Sequence, residues 1–76
     1  GIPDIHVTIL FRELRDDSIK VSMRASGDVN VARIATQFGG GGHVKAAGCS
    51  LPPPLEEAIE RVLNAAREEI ERTLRG

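Results

Sequence analysis

Hydrophobic and polar residues alternate twice in the first third of the chain and then change to helical spacing. Between Ile5 and Leu14, Val7, Ile9 and Phe11 fall on one alternating set, with Ile5 and Leu10 blurring the two-face pattern, which predicts a mostly buried β-strand. Asp16-Asp17-Ser18 supplies a turn, after which Ile19, Val21 and Met23 alternate with Lys20, Ser22 and Arg24. Paired as a hairpin, the two strands would bury the first set and present Arg24 near an exposed edge or end. Asp28 or Asn30 can cap a following short helix, whose apolar stripe is Val31, Ile34, Ala35 and Phe38, with Arg33 and Gln37 away from it. Gly39 permits that helix to end in a left-handed conformation, and the next three glycines prolong a flexible turn. Val44 to Ala47 reads either as a helical turn or, with Ala46 to Leu51, as entry into a third strand.

Pro52-Pro53-Pro54 breaks what precedes it and opens the clearest helix of the chain. Leu55, Ile59, Val62, Ala66, Ile70 and Leu74 make one face, widened by Ala58, Leu63 and Thr73. Glu57 to Arg61, Glu68 to Arg72 and Glu71 to Arg75 have the favourable four-residue spacing, so Glu56, Glu57 and Glu60 read as a solvated face and not as catalytic carboxylates. If this helix packs back on the hairpin it completes the fold; otherwise its apolar face needs a partner domain or subunit. The expected class is α+β: a small mixed β-sheet with a hairpin, a short helix before a Gly-rich loop, and a C-terminal helix packed on the sheet.

At 76 residues the chain fits one domain, 1–76, with a core of Ile, Leu, Val and Ala, since it has two Phe and no Tyr or Trp. The net charge of −1 neither compels nor excludes nucleic-acid binding. Between Ser18 and Pro54, however, Lys20, Arg24, Arg33 and Lys45 face only Asp28, which predicts a modest positive field there. Cys49 stands alone in apolar surroundings and reads as a buried thiol. No apolar run is long enough to cross a bilayer and no secretory leader is visible, which makes the cytoplasm the expected location. Gly1-Ile2-Pro3 has no initiating methionine, as in an excised domain or a processed product.

Four of the eight glycines form the run Gly39-Gly40-Gly41-Gly42, directly before His43. A phosphate needs several donors over a small area, and glycine removes the side chains that would obstruct backbone amides. Gly40 to His43 can supply such donors, Arg24 a planar fork to two oxygens, and His43 a further donor or a surface against a base. Lys45 either joins this site or only enriches its field, and Arg24 could instead form an ordinary surface salt bridge. The Gly-Lys-Ser/Thr ending of a P-loop and the spaced glycines of a dinucleotide fold are both missing. His6 reads as structural or incidental.

Ser22-Met23-Arg24-Ala25-Ser26, Asp28-Val29-Asn30, Ile34-Ala35 and Gly39 through Gly48 together resemble the C-terminal substrate-binding domain of DHH-family phosphoesterases. The resemblance implies a mixed α/β domain that grips the phosphate and base end of a nucleotide or short nucleic acid through Arg24, the Gly39 to Gly42 turn and His43. It implies a parent whose separate N-terminal domain holds divalent metal ions, commonly manganese, and activates water, and it leaves room for a homodimer through that parent. The catalytic half is absent from this sequence, and Asp4, Asp16, Asp17 and Asp28 do not restore it. The expected role is therefore substrate positioning, without catalytic residues or a cofactor in this chain. The parent is expected to be of the oligoribonuclease or nucleoside-bisphosphate phosphatase type. A polyphosphatase, an exonuclease of longer DNA, a nonenzymatic nucleotide sensor and a structural adaptor are the alternatives.

Overall fold

The computed structural model describes residues 4–76, so the opening Gly1-Ile2-Pro3 lies outside them. Four strands and two helices follow in the order β1 (His6–Glu13), β2 (Ile19–Ser26), α1 (Val31–Thr36), β3 (Gly41–His43), β4 (Ala46–Leu51) and α2 (Leu55–Arg75). The strands form one sheet in the order β1-β2-β4-β3, and every pairing is antiparallel. The architecture is the expected α+β one, with the C-terminal helix packed on the sheet.

A tight turn closes the first hairpin: Leu14 N–H donates to the Ser18 carbonyl at 2.9 Å and Asp17 N–H to the Leu14 carbonyl at 3.0 Å. This fixes the register at Glu13 opposite Ile19 and carries it to His6 opposite Ser26. Because side chains alternate across a strand, one register decides both faces. Ile19, Val21 and Met23 of β2 and Cys49 and Leu51 of β4 point into the core, against Val31, Ile34 and Ala35 of α1 and Ala58, Val62, Ala65 and Ala66 of α2. Burial of an aliphatic side chain of this size is worth about 1.5–3 kcal/mol, and this single layer carries most of what holds a six-residue helix such as α1 in place. The Asn30 side chain caps α1 by accepting from the Arg33 amide at 3.2 Å.

Three expectations need correction. β1 is an edge strand covered on one side only, so Val7, Ile9 and Phe11 are half-buried and Leu10 is 63% exposed. The glycine run is not a prolonged flexible turn, because Gly41–His43 pairs with β4, and Val44-Lys45 is the two-residue turn of a second hairpin, not helical. Arg72 bonds Glu69 at 3.1 Å and not Glu68, whereas the Glu71 to Arg75 pair forms at 3.7 Å. Arg61 lies 5.4 Å over the Phe38 ring and has no ion pair with Glu57.

Candidate functional site

Both helices lie on one side of the sheet, and the other side is open to solvent. Residues directly opposite one another across strands share a face, so the registers give the open face row by row. One row runs Thr8, Arg24, Ala46, His43, across all four strands. The next runs Leu10, Ser22, Gly48, Gly41, and the one beyond it Arg12, Lys20, Ser50. Arg24 and His43 are thus separated by a single strand, about 10 Å between Cα atoms. Only the Ala46 methyl stands between them, beside the bare backbone of Gly48 and Gly41. The result is a flat floor with a guanidinium on one side and an imidazole on the other, both exposed.

Close packing of β3 and α1 on β4 gives the glycines different duties. Gly39 has φ +80 and ends α1 in the left-handed conformation expected of it. The Gly39 amide donates to the Thr36 carbonyl at 3.2 Å and the Gly40 amide to the Ala35 carbonyl at 3.0 Å, so both already serve the helix end. A Cβ on Gly40 would lie 2.1 Å from the Gly48 carbonyl oxygen, and one on Gly42 (φ +144) would lie 2.6 Å from Ala47 Cα. Gly41 meets nothing within 4 Å and faces the open side. β3 is an edge strand and leaves part of its backbone hydrogen-bonding groups without a neighbouring strand.

The cations grouped by the sequence separate in space. Lys45 Nζ donates to the Gly27 carbonyl, while the Lys45 carbonyl accepts from Ala25 N–H and the Val44 carbonyl from Val31 N–H, each at 2.9 Å. These bonds anchor the turn that follows His43. Arg33 lies in the helical layer, where its Nε donates to Glu69 at 3.1 Å. Burial pushes the Glu69 carboxyl up, but hydrogen bonds and charge from Arg72 and Arg33 outweigh it and hold the group below the usual glutamate range. Arg24 has no carboxylate partner among the described residues, so the surface salt bridge considered for it does not form. His6 pairs with Asp4 at 2.8 Å at a corner of the sheet. Cys49 is buried, and its apolar surroundings push the thiol up. Arg12 escaped the sequence reading because only the hairpin register brings it opposite Lys20.

Two hollows, of about 360 and 190 Å³, lie away from this floor and are lined by carboxylates, Glu13, Asp17 and Glu56 in one and Asp4 and Asp28 in the other. Neither suits an anion. Among the described residues no three His, Cys, Asp or Glu side chains converge to hold a metal ion, and no helix is long and apolar enough to cross a membrane.

A DHHA1 domain family model matches residues 1–72. The chain belongs to the DHHA1 domain family. This DHHA1 domain is 48% identical over 67 residues to a Thermus thermophilus protein named bifunctional oligoribonuclease and PAP phosphatase NrnA, and 32% identical over 70 residues to its namesake in Mycoplasma pneumoniae. Those matches cover 87% and 92% of this chain, which spans about a fifth (21%) of the length of each relative. Among solved structures, an exopolyphosphatase-related protein from Bacteroides fragilis superposes with a TM-score of 0.74 at 32% identity, over 82% of this chain and 18% of that one.

Proposed function

We propose that this DHHA1 domain is the substrate-holding part of a longer phosphoesterase, and that it grips the phosphate end of a nucleotide or short oligonucleotide on the open face of its sheet. The observation that carries the reading is the row Arg24, Ala46, His43, in which two cation-capable or donor side chains flank a floor of minimal height. Arg24 would meet two phosphate oxygens with its planar fork. His43 would donate to a third oxygen or lie against a base, and Gly41 and Gly48 would let the ligand approach the backbone. The Gly39 and Gly40 turn would contribute by holding β3 in place, and Lys45 by fixing the turn after His43.

The naming of two relatives as oligoribonuclease and PAP phosphatase supports a phosphate-bearing nucleotide as ligand. Divalent metal, commonly manganese, would belong to a separate N-terminal domain of the parent and supply the activated water there. Among the described residues no His, Cys, Asp or Glu cluster converges on a metal, and the part proposed for this chain is binding and orientation. Contacts of this kind read phosphate and shape and carry little base specificity.

Calorimetric titration of the chain with a nucleoside 3′,5′-bisphosphate and with the matching nucleoside tests this reading. The phosphorylated ligand should bind far more tightly. Arg24→Ala and His43→Ala should each weaken it about 10- to 100-fold, the equivalent of about 1.5–3 kcal/mol for a charge-assisted hydrogen bond. Equal binding of the two ligands, with both folded variants unchanged, would remove the site.

A further inference from the structure

We propose that Arg12 and Lys20, with Ser50 beside them, form a second anion subsite that takes another phosphate of the same single strand whose terminal phosphate sits at Arg24 and His43. The proposal deepens the reading above and rests on it. Arg12 and Lys20 are directly opposite each other in the β1 and β2 register, and like charges so placed are destabilising. Neither has an ion-pair partner among the described residues. The chain carries 11 acidic residues, yet no strand position on the open face is Asp or Glu. Glu13 points to the opposite face, and Asp16, in the adjoining turn, is held by Ser18 at 2.6 and 3.0 Å. A sheet face built only for solubility would interleave the two signs; this one is arranged for an anionic ligand.

Lys20 and Arg24 are four residues apart on one strand, about 13 Å at the usual rise. The oxygens of one phosphate span only a few ångströms, so the two positions serve different phosphates of one chain. Between them lies the row holding Leu10, 63% exposed, the small Ser22, and the side-chain-free Gly48 and Gly41. Cations at both ends, with a low step between them whose one large side chain is the apolar Leu10, match the alternation of phosphate and base in a single-stranded oligonucleotide. Inorganic polyphosphate would find no use for Leu10.

The experiment titrates the chain with a 5′-phosphorylated tetranucleotide RNA, a nucleoside 3′,5′-bisphosphate and a tetrapolyphosphate at two salt concentrations, with melting curves for every variant. Arg12→Gln combined with Lys20→Gln should weaken the RNA tenfold or more and leave the bisphosphate unchanged. The same change should flatten the logarithmic salt dependence by about 0.7, the value for one single-strand phosphate contact. Leu10→Asn should weaken the RNA and not the polyphosphate. Unchanged RNA affinity in the double variant, with Arg24→Ala still weakening the bisphosphate, would overturn the second subsite alone. An Arg24→Ala variant that binds the bisphosphate normally would overturn the reading beneath it. Polyphosphate bound as tightly as RNA, with Leu10→Asn affecting neither, would overturn the oligonucleotide assignment.

Discussion

Gly40 and Gly41 are neighbours with opposite surroundings. Alanine at Gly40 must displace the Gly48 carbonyl and Cys49, backbone and core that have no room to yield. Overpacking of this kind costs about 1–3 kcal/mol, and Gly40→Ala should lower the melting temperature by about 5–20 °C. Leucine at Gly41 meets open space and should melt within a few degrees of the parent chain, yet its side chain would rise from the floor next to His43, in the row beside the one that joins it to Arg24. Nucleotide titration should show that Gly41→Leu loses tenfold or more in affinity. The sequence revealed that glycine was needed here and placed the left-handed residue at Gly39. It did not reveal which glycines serve packing and which serve access, because that depends on β4, whose contacts with β3 are made after the chain reverses at Val44-Lys45.

At the scale of elements, α1 and α2 are tied together by one buried carboxylate. The apolar period of α2 suggested a face through Leu55, Ile59, Val62, Ala66, Ile70 and Leu74. In the fold the buried line is Ala58, Val62, Ala65, Ala66 and Glu69, while Leu74 is 55% exposed. Glu69 tolerates this position because Arg33 and Arg72 both reach it. No periodicity could show this, since Arg33 lies on another helix. Glu69→Gln should cost about 1.5–3 kcal/mol at neutral pH, measured by denaturant unfolding. The folded-state pKa lies below the ordinary 4.5, so the contribution is complete above about pH 4.5 and is lost as acid takes the pH down through the lowered value. The parent chain should therefore lose stability across that window more steeply than Glu69→Gln. Asp16, also lowered by its hydrogen bonds from Ser18, titrates in both chains and cancels in the comparison.

Across the whole molecule, the near-zero net charge conceals two unlike layers. α2 carries six glutamates against four arginines, whereas the open face of the sheet carries Arg12, Lys20 and Arg24 with no carboxylate on its strands. Such separation would steer the proposed anionic ligand toward the open face before contact. Ser22 sits in the middle of the open face, exposed, between the rows that hold these cations. Ser22→Glu should change stability by no more than about 0.5 kcal/mol and lower nucleotide affinity tenfold or more. Unaltered affinity in that variant would mean the ligand lies elsewhere.

The alternation in β2, the stripe and cap of α1, the glycine stop and the long final helix were all legible in the sequence, because local propensity and period act within a few residues. The residues from which the candidate site is built, an arginine, a glycine run and a histidine, were also visible there as a group. The strand order, the conversion of half the glycine run into an edge strand, and the row that sets Arg24 beside His43 were decided by tertiary structure. These follow from registers between segments up to about twenty residues apart, where a shift of one residue would turn every side chain to the other face.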